Sequence, residues 1–357
     1  MLRSLISLSL LLLSILMVTA PISANATLQS DFNAVCSAGG GTLTLAAPVV
    51  TISSTQFLNC TATGHSIIIQ GNPTYFYCTT VTTAPCIVLQ SPNIYFRDVS
   101  IIGAGPSHPG SEALQIQTTA DYAYLTNITI NGFDVGLHMI GLSDLLVGVH
   151  SDRLVVGNVN TAVHLEGGIA NDYFNQFGLN AQQRFILFDG NGYSGSGASF
   201  VSGWFNAVST PGVAGIYISS SSGGGHGLTL TDVQDWETAC PYAELGTGAG
   251  LYVSGVSWNG DTAPSSDPAF KVTGSSALLR ITNSLIGPCT STTPTLASIT
   301  SSTAAITIGN SDVYGVLNYS GGASWGTFTA NRFATSPCMS GTLTNVRASA
   351  NIGCADR

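Results

Sequence analysis

Charged side chains are scarce in this sequence. It contains 9 basic and 18 acidic residues among 357, or 8% charged, against about 25% in a typical soluble domain. Disordered chains are rich in charge and poor in apolar residues, whereas 44% of this chain is hydrophobic. The composition therefore predicts an ordered protein whose surface is covered mainly by serine, threonine, asparagine and glycine.

Long apolar runs are confined to the first residues. Arg3 precedes an apolar run from Leu5 to Val18, and Ala24-Asn25-Ala26 follows. This is the layout of a secretory signal, so we expect cleavage after Ala26 and a protein that is secreted or held in the cell envelope, the periplasm in a bacterium. No second run approaches the length of a membrane span, so we expect no membrane partner after cleavage.

Basic residues are scarcer than acidic residues. Without Arg3, which leaves with the predicted signal, eight Lys or Arg face eighteen Asp or Glu, a balance of −10. A chain of this charge repels phosphate backbones and anionic lipid surfaces. We therefore expect no nucleic-acid partner.

Cysteines at the CxxC spacing of zinc or redox sites are absent. The chain has eight cysteines, an even number, which in an exported protein favours disulfides. Proximity suggests four pairs, although the sequence leaves the pairing open: Cys36–Cys60, Cys78–Cys86, Cys240–Cys289 and Cys338–Cys354.

Long helical patterns are nearly absent, and a polar turn followed by alternating apolar residues recurs instead. Such units open at Asn93, Asp121, Asp144 and Asp172, at spacings of 28, 23 and 28 residues. A period between about 20 and 50 residues is typical of repeat architectures. Short β-rich units without intervening helices favour a β-solenoid over a sandwich or propeller. We predict an all-β coil of about ten rungs over residues 65–335.

Both ends of the predicted coil have their own patterns, within one domain that covers residues 27–357. Residues 27–64 are predicted to cap the N-terminal end, because Leu28, Phe32 and Val35 recur at the spacing of one helix face. Residues 336–357 are predicted to form a C-terminal cap closed by the last disulfide.

The opening segments carry a family resemblance. "CSAGGGTLTLAAPVVTISS", then "HSIIIQGN" (65–72) and "SPNIYFRDVSIIG" (91–103), follow the first helical pattern. This order resembles the pectate-lyase-like superfamily, which includes polysaccharide lyases, polygalacturonases and phage tailspikes. The resemblance covers residues 28–135 by motif and continues by period to about 315. It implies a single-stranded right-handed parallel β-helix with a polysaccharide as partner, but one scaffold carries many functions.

The tripeptide Gly225-His226-Gly227 resembles one that lies beside the catalytic carboxylates of the polygalacturonases. Glycoside hydrolysis needs paired carboxylates, yet the chain from Gly190 to Thr231 contains no Asp or Glu. In the aligned units His226 takes the turn position of Asp121. We therefore interpret His226 as a turn residue, with substrate binding as its candidate function.

The highest density of acids follows His226. Asp232, Asp235 and Glu237 are the candidate catalytic carboxylates, because crowding at a strand bend would raise one pKa into the range of a general acid. Trp236, between them, is a candidate platform for a sugar ring. The alternative interpretation is a solvated acidic loop tied down by Cys240.

A second candidate set, Asp152, Arg153, Glu166 and Asp172, lies in the middle of the chain, which also holds Asp144, His150, His164, Arg184 and Asp189. A lyase would use Arg153 or Arg184 as base, with calcium on the carboxylates. However, Asp152 and Arg153 are more simply an ion pair, and no EF-hand or RTX spacing is present. We predict no metal site and no cofactor, apart from calcium in the lyase case.

Two functions follow from these observations. One is a secreted β-helix that binds an extracellular polysaccharide along one face, with cleavage by a lyase or hydrolase reaction left open. The other is a non-catalytic β-helix, either adhesin-like or a tailspike-like receptor-binding protein. The sequence leaves the oligomeric state open.

Overall fold

A computed structural model describes most of the chain and consists almost entirely of β-structure. One helix and a single sheet of 28 strands are present in it. The described residues are 19–21, 27–60, 65–189, 197–206, 210, 212–219, 227–236, 239–259, 267–287, 289, 295–301, 303–319, 325–334, 339–341 and 346–353.

The helix, α1, spans Leu28–Ser37. The strands of the first half of the chain are β1 (Thr19–Pro21), β2 (Gly41–Thr44), β3 (Val49–Thr51), β4 (Gln56–Leu58), β5 (Ile67–Tyr77), β6 (Pro85–Leu89), β7 (Ile94–Ile102), β8 (Glu112–Gln117), β9 (Tyr124–Val147), β10 (His150–Asn175) and β11 (Gly178–Asp189). The later strands are β12 (Gly197–Asn206), β13 (Ile216–Ile218), β14 (Gly227–Trp236), β15 (Ala243–Leu245), β16 (Gly250–Ser254), β17 (Ser257–Trp258), β18 (Phe270–Val272), β19 (Leu278–Thr282), β20 (Leu285–Ile286), β21 (Thr295–Ile299), β22 (Ala305–Gly309), β23 (Asp312–Val313), β24 (Val316–Tyr319), β25 (Trp325–Thr329), β26 (Arg332–Phe333), β27 (Met339–Gly341) and β28 (Val346–Ser349).

The strands wind into a coil in which every pairing is parallel. Tyr95 pairs with Tyr124, and Tyr124 with His150, so the chain returns to the same face one strand spacing further on. That spacing is about 4.8 Å. The predicted fold, an all-β right-handed parallel β-helix with a short N-terminal helix, is confirmed.

The coil has three faces, which we name from the turn formed by β10. The first face contains residues 150–152, the second residues 154–157 and the third residues 161–166, each with its register partners in the neighbouring turns. Side chains alternate between the interior and the solvent along each face. The long strands β9 and β10 pass around corners and serve more than one face.

The corner between the first and second faces is made by a residue with positive φ in successive turns. Asn and Asp tolerate this left-handed conformation better than other non-glycine residues. In two places a neighbouring pair is bonded, with Asn127 Nδ2 donating to Asp98 Oδ1 at 2.8 Å and Asn310 Nδ2 to Asn283 Oδ1 at 2.6 Å. The non-glycine residues at this corner have φ between 51° and 58°; they are Asp98, Asn127, Arg153, Gln176, Ser202, Asp232, Asn283, Asn310, Ala330 and Ala350.

The interior is filled by side chains stacked from turn to turn. The rings of Phe174 and Phe200 stack with centroids 4.4 Å apart, and those of Phe185 and Phe205 at 4.6 Å. Phe177 meets Phe200 edge to face. Continuous apolar stacks of this kind account for a chain with so few charged residues.

The N-terminal end of the coil is covered by α1. Thr27 caps the helix, because its Oγ1 accepts a hydrogen bond from the Ser30 amide. Leu28, Phe32 and Val35 are buried, as the helical spacing predicts, and the helix packs on β2 and β4.

Three of the four predicted disulfides are confirmed: Cys36–Cys60, Cys78–Cys86 and Cys240–Cys289. Cys338 and Cys354 lie outside the described residues. Disulfides are typical of proteins that fold outside the reducing cytosol. Among the described residues, no helix combines the length and the apolar character that crossing a bilayer requires.

Candidate functional site

Polar side chains stand in line on the outer surface of the third face. His138 of β9 pairs in register with His164 of β10, and Glu166 of β10 pairs with Asp189 of β11. The apolar neighbours of each histidine in sequence, such as Val163 and Leu165, are buried in the core. The alternation of the strands therefore places these histidines and acids on the same outward side.

Each histidine bonds to the carboxylate of the following turn. His138 Nε2 lies 3.0 Å from Glu166 Oε2, and His164 Nε2 lies 2.7 Å from Asp189 Oδ1. The two imidazole rings are stacked, with centroids 4.2 Å apart and planes within 3° of parallel. The coil thus carries two histidine–carboxylate dyads on consecutive turns.

His138 also contacts a second carboxylate. Its Nδ1 lies 3.0 Å from Glu112 Oε1, and Glu112 Oε2 accepts a hydrogen bond of 2.9 Å from Gln115 Nε2. Burial alone would lower the pKa of His138, but the hydrogen bonds and charges of Glu112 and Glu166 outweigh it and raise that pKa above its ordinary value. The site therefore stabilises the charged imidazolium, in which each nitrogen can donate a hydrogen bond to a carboxylate, more than water does.

These five residues, Glu112, His138, His164, Glu166 and Asp189, form what we call the third-face cluster. The side chains of His138 and Glu112 are only 9% and 15% exposed, whereas those of Glu166 and Asp189 are 29% and 35% exposed. A ligand on this face therefore meets the carboxylates of Glu166 and Asp189 first, with the histidines behind them.

Arg184 lies at the edge of the cluster. Its guanidinium carbon is 4.6 Å from the centroid of the Tyr217 ring, in a cation–π contact. Burial lowers the pKa of Arg184, and the charges of Tyr217, Glu244 and Asp189 oppose that shift. The site thus contains one partly desolvated cation beside its carboxylates.

Three residues of the third-face cluster are candidate metal ligands. Donor atoms of His138, His164 and Glu166 lie within 4.8 Å of one another. A metal ion lies in the plane of each imidazole that binds it, about 2.0–2.1 Å from the nitrogen for zinc. Because the two rings are nearly parallel, their lone pairs do not converge on one point. The geometry favours proton exchange with carboxylates over metal binding.

Of the catalytic residues predicted from sequence, the structure brings one into the cluster. Glu166 is in it, and His164, Asp189 and the neighbouring Arg184 come from the same middle segment. Asp152 lies on the first face, where its Oδ1 accepts a hydrogen bond of 3.1 Å from Asn175 Nδ2.

Arg153 occupies the corner between the first and second faces, whereas Asp172 lies in β10 and pairs in register with Ala198. Arg153 is exposed, with a φ of 58°. Asp172 is only 2% exposed, and its Oδ1 accepts a hydrogen bond of 2.5 Å from the Val149 amide. Burial raises the pKa of Asp172 well above its ordinary value, the amides of Val149 and Gly148 oppose that shift, and the charge of Asp121 adds to it.

The acids that follow His226 point in different directions. Asp232 is exposed at the corner, whereas Asp235 is 1% exposed and is paired in register with Phe205 and Trp258, both of which are buried. Trp236 ends β14, but its side chain, like His226 and Glu237 as a whole, lies outside the described part of the chain.

Sequence reasoning missed Glu112 and His138. A usable signal was present, because "GLHMI" (136–140) and "AVHLE" (162–166) each place one histidine between two apolar residues of a strand. That pattern predicts an outward-facing histidine in each unit. The lengths of the loops hide which carboxylate lies opposite it.

A second outward row lies on the first face. Tyr95 and Tyr124 stack at 4.7 Å, Tyr124 and His150 at 5.2 Å, and His150 meets Tyr173 tilted at 6.4 Å. Because each ring covers a face of its neighbour, the row presents mainly ring edges to solvent. It stabilises the outer surface of these turns.

Comparison with known proteins identifies the fold. No protein-family model matches the chain, and no curated protein sequence does. Among solved structures, an alanine variant of the catalytic domain of a GH87 alpha-1,3-glucanase in complex with nigerose aligns at 15% identity, over 94% of this chain and 69% of that chain, with a TM-score of 0.59. The two proteins share a fold, and in this chain that fold is a parallel β-helix.

Two further solved structures that align with this chain are a second alanine variant of that domain and a phage protein. The second glucanase variant, also in complex with nigerose, aligns at 14% identity over 93% of this chain and 68% of that chain, with a TM-score of 0.56. Tailspike protein 3 of bacteriophage CBA120 aligns at 10% identity over 96% and 61%, with a TM-score of 0.40. At 14–15% identity, the likeness to the two glucanase variants concerns the fold.

Proposed function

We propose that this β-helix is a glycoside hydrolase that binds a polysaccharide along its third face and cleaves it at Glu166 and Asp189. One observation carries the proposal: two partly exposed carboxylates lie on adjacent turns, each bonded to the imidazole of the turn before it. Paired carboxylates are what glycosidic-bond hydrolysis requires. The solved structure that shares the fold at a TM-score of 0.59 is the catalytic domain of an alpha-1,3-glucanase in complex with nigerose.

From their contacts, we assign a different task to each carboxylate. Glu166 contacts the imidazolium of His138, which supplies a proton at its Nε2. As the bond from the glycosidic oxygen to the anomeric carbon breaks, the proton passes from His138 Nε2 to Glu166 and from Glu166 to that oxygen. Asp189, as the carboxylate, takes a proton from the water whose oxygen bonds to the anomeric carbon. Two hydroxyl chain ends result, and exchange with solvent restores both acids.

A location outside the cytosol belongs to the same proposal. The confirmed disulfides fit an oxidising compartment. Cleavage of the predicted signal after Ala26 would leave Thr27, the N-cap of α1, as the first residue, and would remove β1. A secreted or cell-envelope enzyme would then meet its polysaccharide directly.

A lyase reaction is the second candidate, because burial lowers the pKa of Arg184, as a catalytic base requires. A lyase leaves an unsaturated sugar that absorbs ultraviolet light, whereas a hydrolase releases reducing ends without that chromophore. A non-catalytic receptor-binding β-helix would give neither product.

The test is a glycan panel assayed for both products, with binding followed by calorimetry. Glu166→Gln and Asp189→Asn should each lower the rate of hydrolysis about 100-fold or more while the glycan stays bound. Asp312→Asn is the matched control, because Asp312 is an exposed acid paired with Arg332 on the second face, and it should leave the rate unchanged. Binding without product across the panel would overturn the enzyme proposal, and unsaturated product would replace hydrolase with lyase.

A further inference from the structure

Arg184 carries a hydrogen-bond donor that the described part of the protein does not use. Its Nη1 is buried and has no hydrogen-bond partner among the described residues. The guanidinium is held in place against the Tyr217 ring. A buried donor without a partner is costly. The Arg184 side chain as a whole is only partly buried, and a ligand oxygen that binds beside it and accepts a hydrogen bond from Nη1 would remove this cost.

The charges around Arg184 decide which kind of oxygen fits. The carboxylates of Asp189 and Glu244 both act on the guanidinium, and Glu166 and Glu112 stand on the same face. The cations are Arg184 and His138, since Lys271 Nζ is already paired with Asp267 at 2.7 Å. The face therefore has more negative than positive groups, on a chain whose formal net charge is −9.

A sugar carboxylate bound to Arg184 would be repelled by these acids. Like charges brought together at a binding site lower affinity. Arg184 already interacts with the carboxylates of Asp189 and Glu244, so its single positive charge does not offset the charge of a sugar carboxylate as well. A sugar hydroxyl fits instead, because it accepts a hydrogen bond from Nη1 and donates one to a neighbouring carboxylate. On these grounds we propose that the polysaccharide is uncharged, and that Arg184 binds a hydroxyl of the sugar next to the cleaved bond.

This inference rests on the proposed function, since it names the substrate class of the same cluster. It makes Arg184 a substrate-binding residue. The hydrogen bond from Nη1 forms with the bound sugar and stays through the reaction, so its loss should raise KM more than it lowers kcat.

The first experiment uses matched polymers. Polygalacturonate, alginate and hyaluronan are compared with the same polymers after reduction of their carboxyl groups to alcohols, alongside neutral glucans, mannans and galactans. We expect the tightest binding and fastest cleavage within the uncharged polymers. Preference for a uronate polymer over its reduced form would overturn the inference and leave the hydrolase proposal standing. Absence of binding to every polymer would overturn both.

The second experiment changes the side chain. Arg184→Met should raise KM about 10- to 100-fold, as for the loss of one hydrogen bond from a charged donor, with kcat changed much less. Arg184→Lys should recover only part of the loss, because a lysine cannot reproduce the planar contact with Tyr217. Arg280→Met, on the first face, is the control.

Binding of neutral oligosaccharides to the Glu166→Gln variant separates the two proposals. Loss of that binding on adding Arg184→Met supports the inference even if no cleavage is found. An unchanged KM in Arg184→Met, with the variant folded by circular dichroism, would show that Nη1 does not contact the sugar.

Discussion

Asp172 and His138 are buried ionisable residues with different partners. Burial and the charge of Asp121 favour the neutral form of Asp172, against the opposing effect of the Val149 and Gly148 amides. His138 faces Glu112 and Glu166, so its charged form is favoured. Both pKa values are raised. In both cases the protonated form is therefore the one that the folded protein stabilises, and this stabilisation is lost as pH rises through the folded pKa.

Replacing Asp172 with asparagine should stabilise the protein at neutral pH. The asparagine oxygen keeps the bond from the Val149 amide, and the buried negative charge disappears. We expect the free energy of unfolding at pH 7 to increase by about 1 kcal/mol or more, since each pKa unit corresponds to about 1.4 kcal/mol. Below pH 4, where Asp172 is protonated in the wild type, the gain should vanish.

Asp144→Asn is the control for that measurement. Asp144 is an exposed acid whose Oδ1 accepts a bond from the adjacent Leu145 amide, so removing its charge should change stability little. Chemical denaturation of both variants between about pH 3 and pH 8 measures this difference. Equal effects of the two substitutions would refute the explanation by burial.

His138→Gln should flatten the pH dependence of stability. The contribution of charged His138 is fully present below about pH 6.5, its unfolded pKa, and is lost as pH rises through the higher folded value. We expect the variant to be less stable than wild type by about 1–3 kcal/mol at pH 6, with a smaller difference at pH 8. His150→Gln, on the exposed first face, should give no such trend.

At the scale of strands, the core stacks are the main source of stability. Phe200 is fully buried and contacts the rings of Phe174 and Phe177 in the neighbouring strand and corner. Phe200→Ala should reduce the free energy of unfolding by about 3–5 kcal/mol, from lost burial and the cavity that remains. Ser199→Ala, on the outward side of the same strand, should cost less than about 0.5 kcal/mol. Comparable losses of unfolding free energy in the two variants would contradict the assignment of Phe200 to the inward side of the strand and Ser199 to the outward side.

The strands also show what the sequence could and could not predict. Alternation and turn residues predicted the solenoid, and proximity predicted three disulfides. The sequence could not predict whether an individual acid faces the interior or the solvent. A corner residue such as Asp232, with a φ of 53°, interrupts the alternation of inward and outward side chains. Asp235 therefore faces inward, although its spacing from Asp232 gives no sign of this. His138 and Glu166 meet only because the register aligns turns of unequal length.

Across the whole molecule, the ends of the coil need protection, because an uncovered end exposes strand edges and apolar side chains. Phe32 of α1 is fully buried against the first turns. Phe32→Asp should detach the helix and cause end-to-end association, visible as concentration-dependent sedimentation. Gln29→Asp changes a polar residue of the same helix and should leave the sedimentation of the protein unchanged. A well-behaved monomer with Phe32→Asp would show that α1 is not the essential cap.

The pairing of a histidine with the carboxylate of the next turn occurs twice, at His138 with Glu166 and at His164 with Asp189. In genetic terms this makes the cluster modular. An in-frame duplication as long as one turn would add a dyad whose side chains face the same side of the coil. A deletion of the same length would remove one dyad and leave the neighbouring dyads in register. Unequal recombination can therefore lengthen or shorten the row of dyads, and with it the stretch of sugar chain that the face holds.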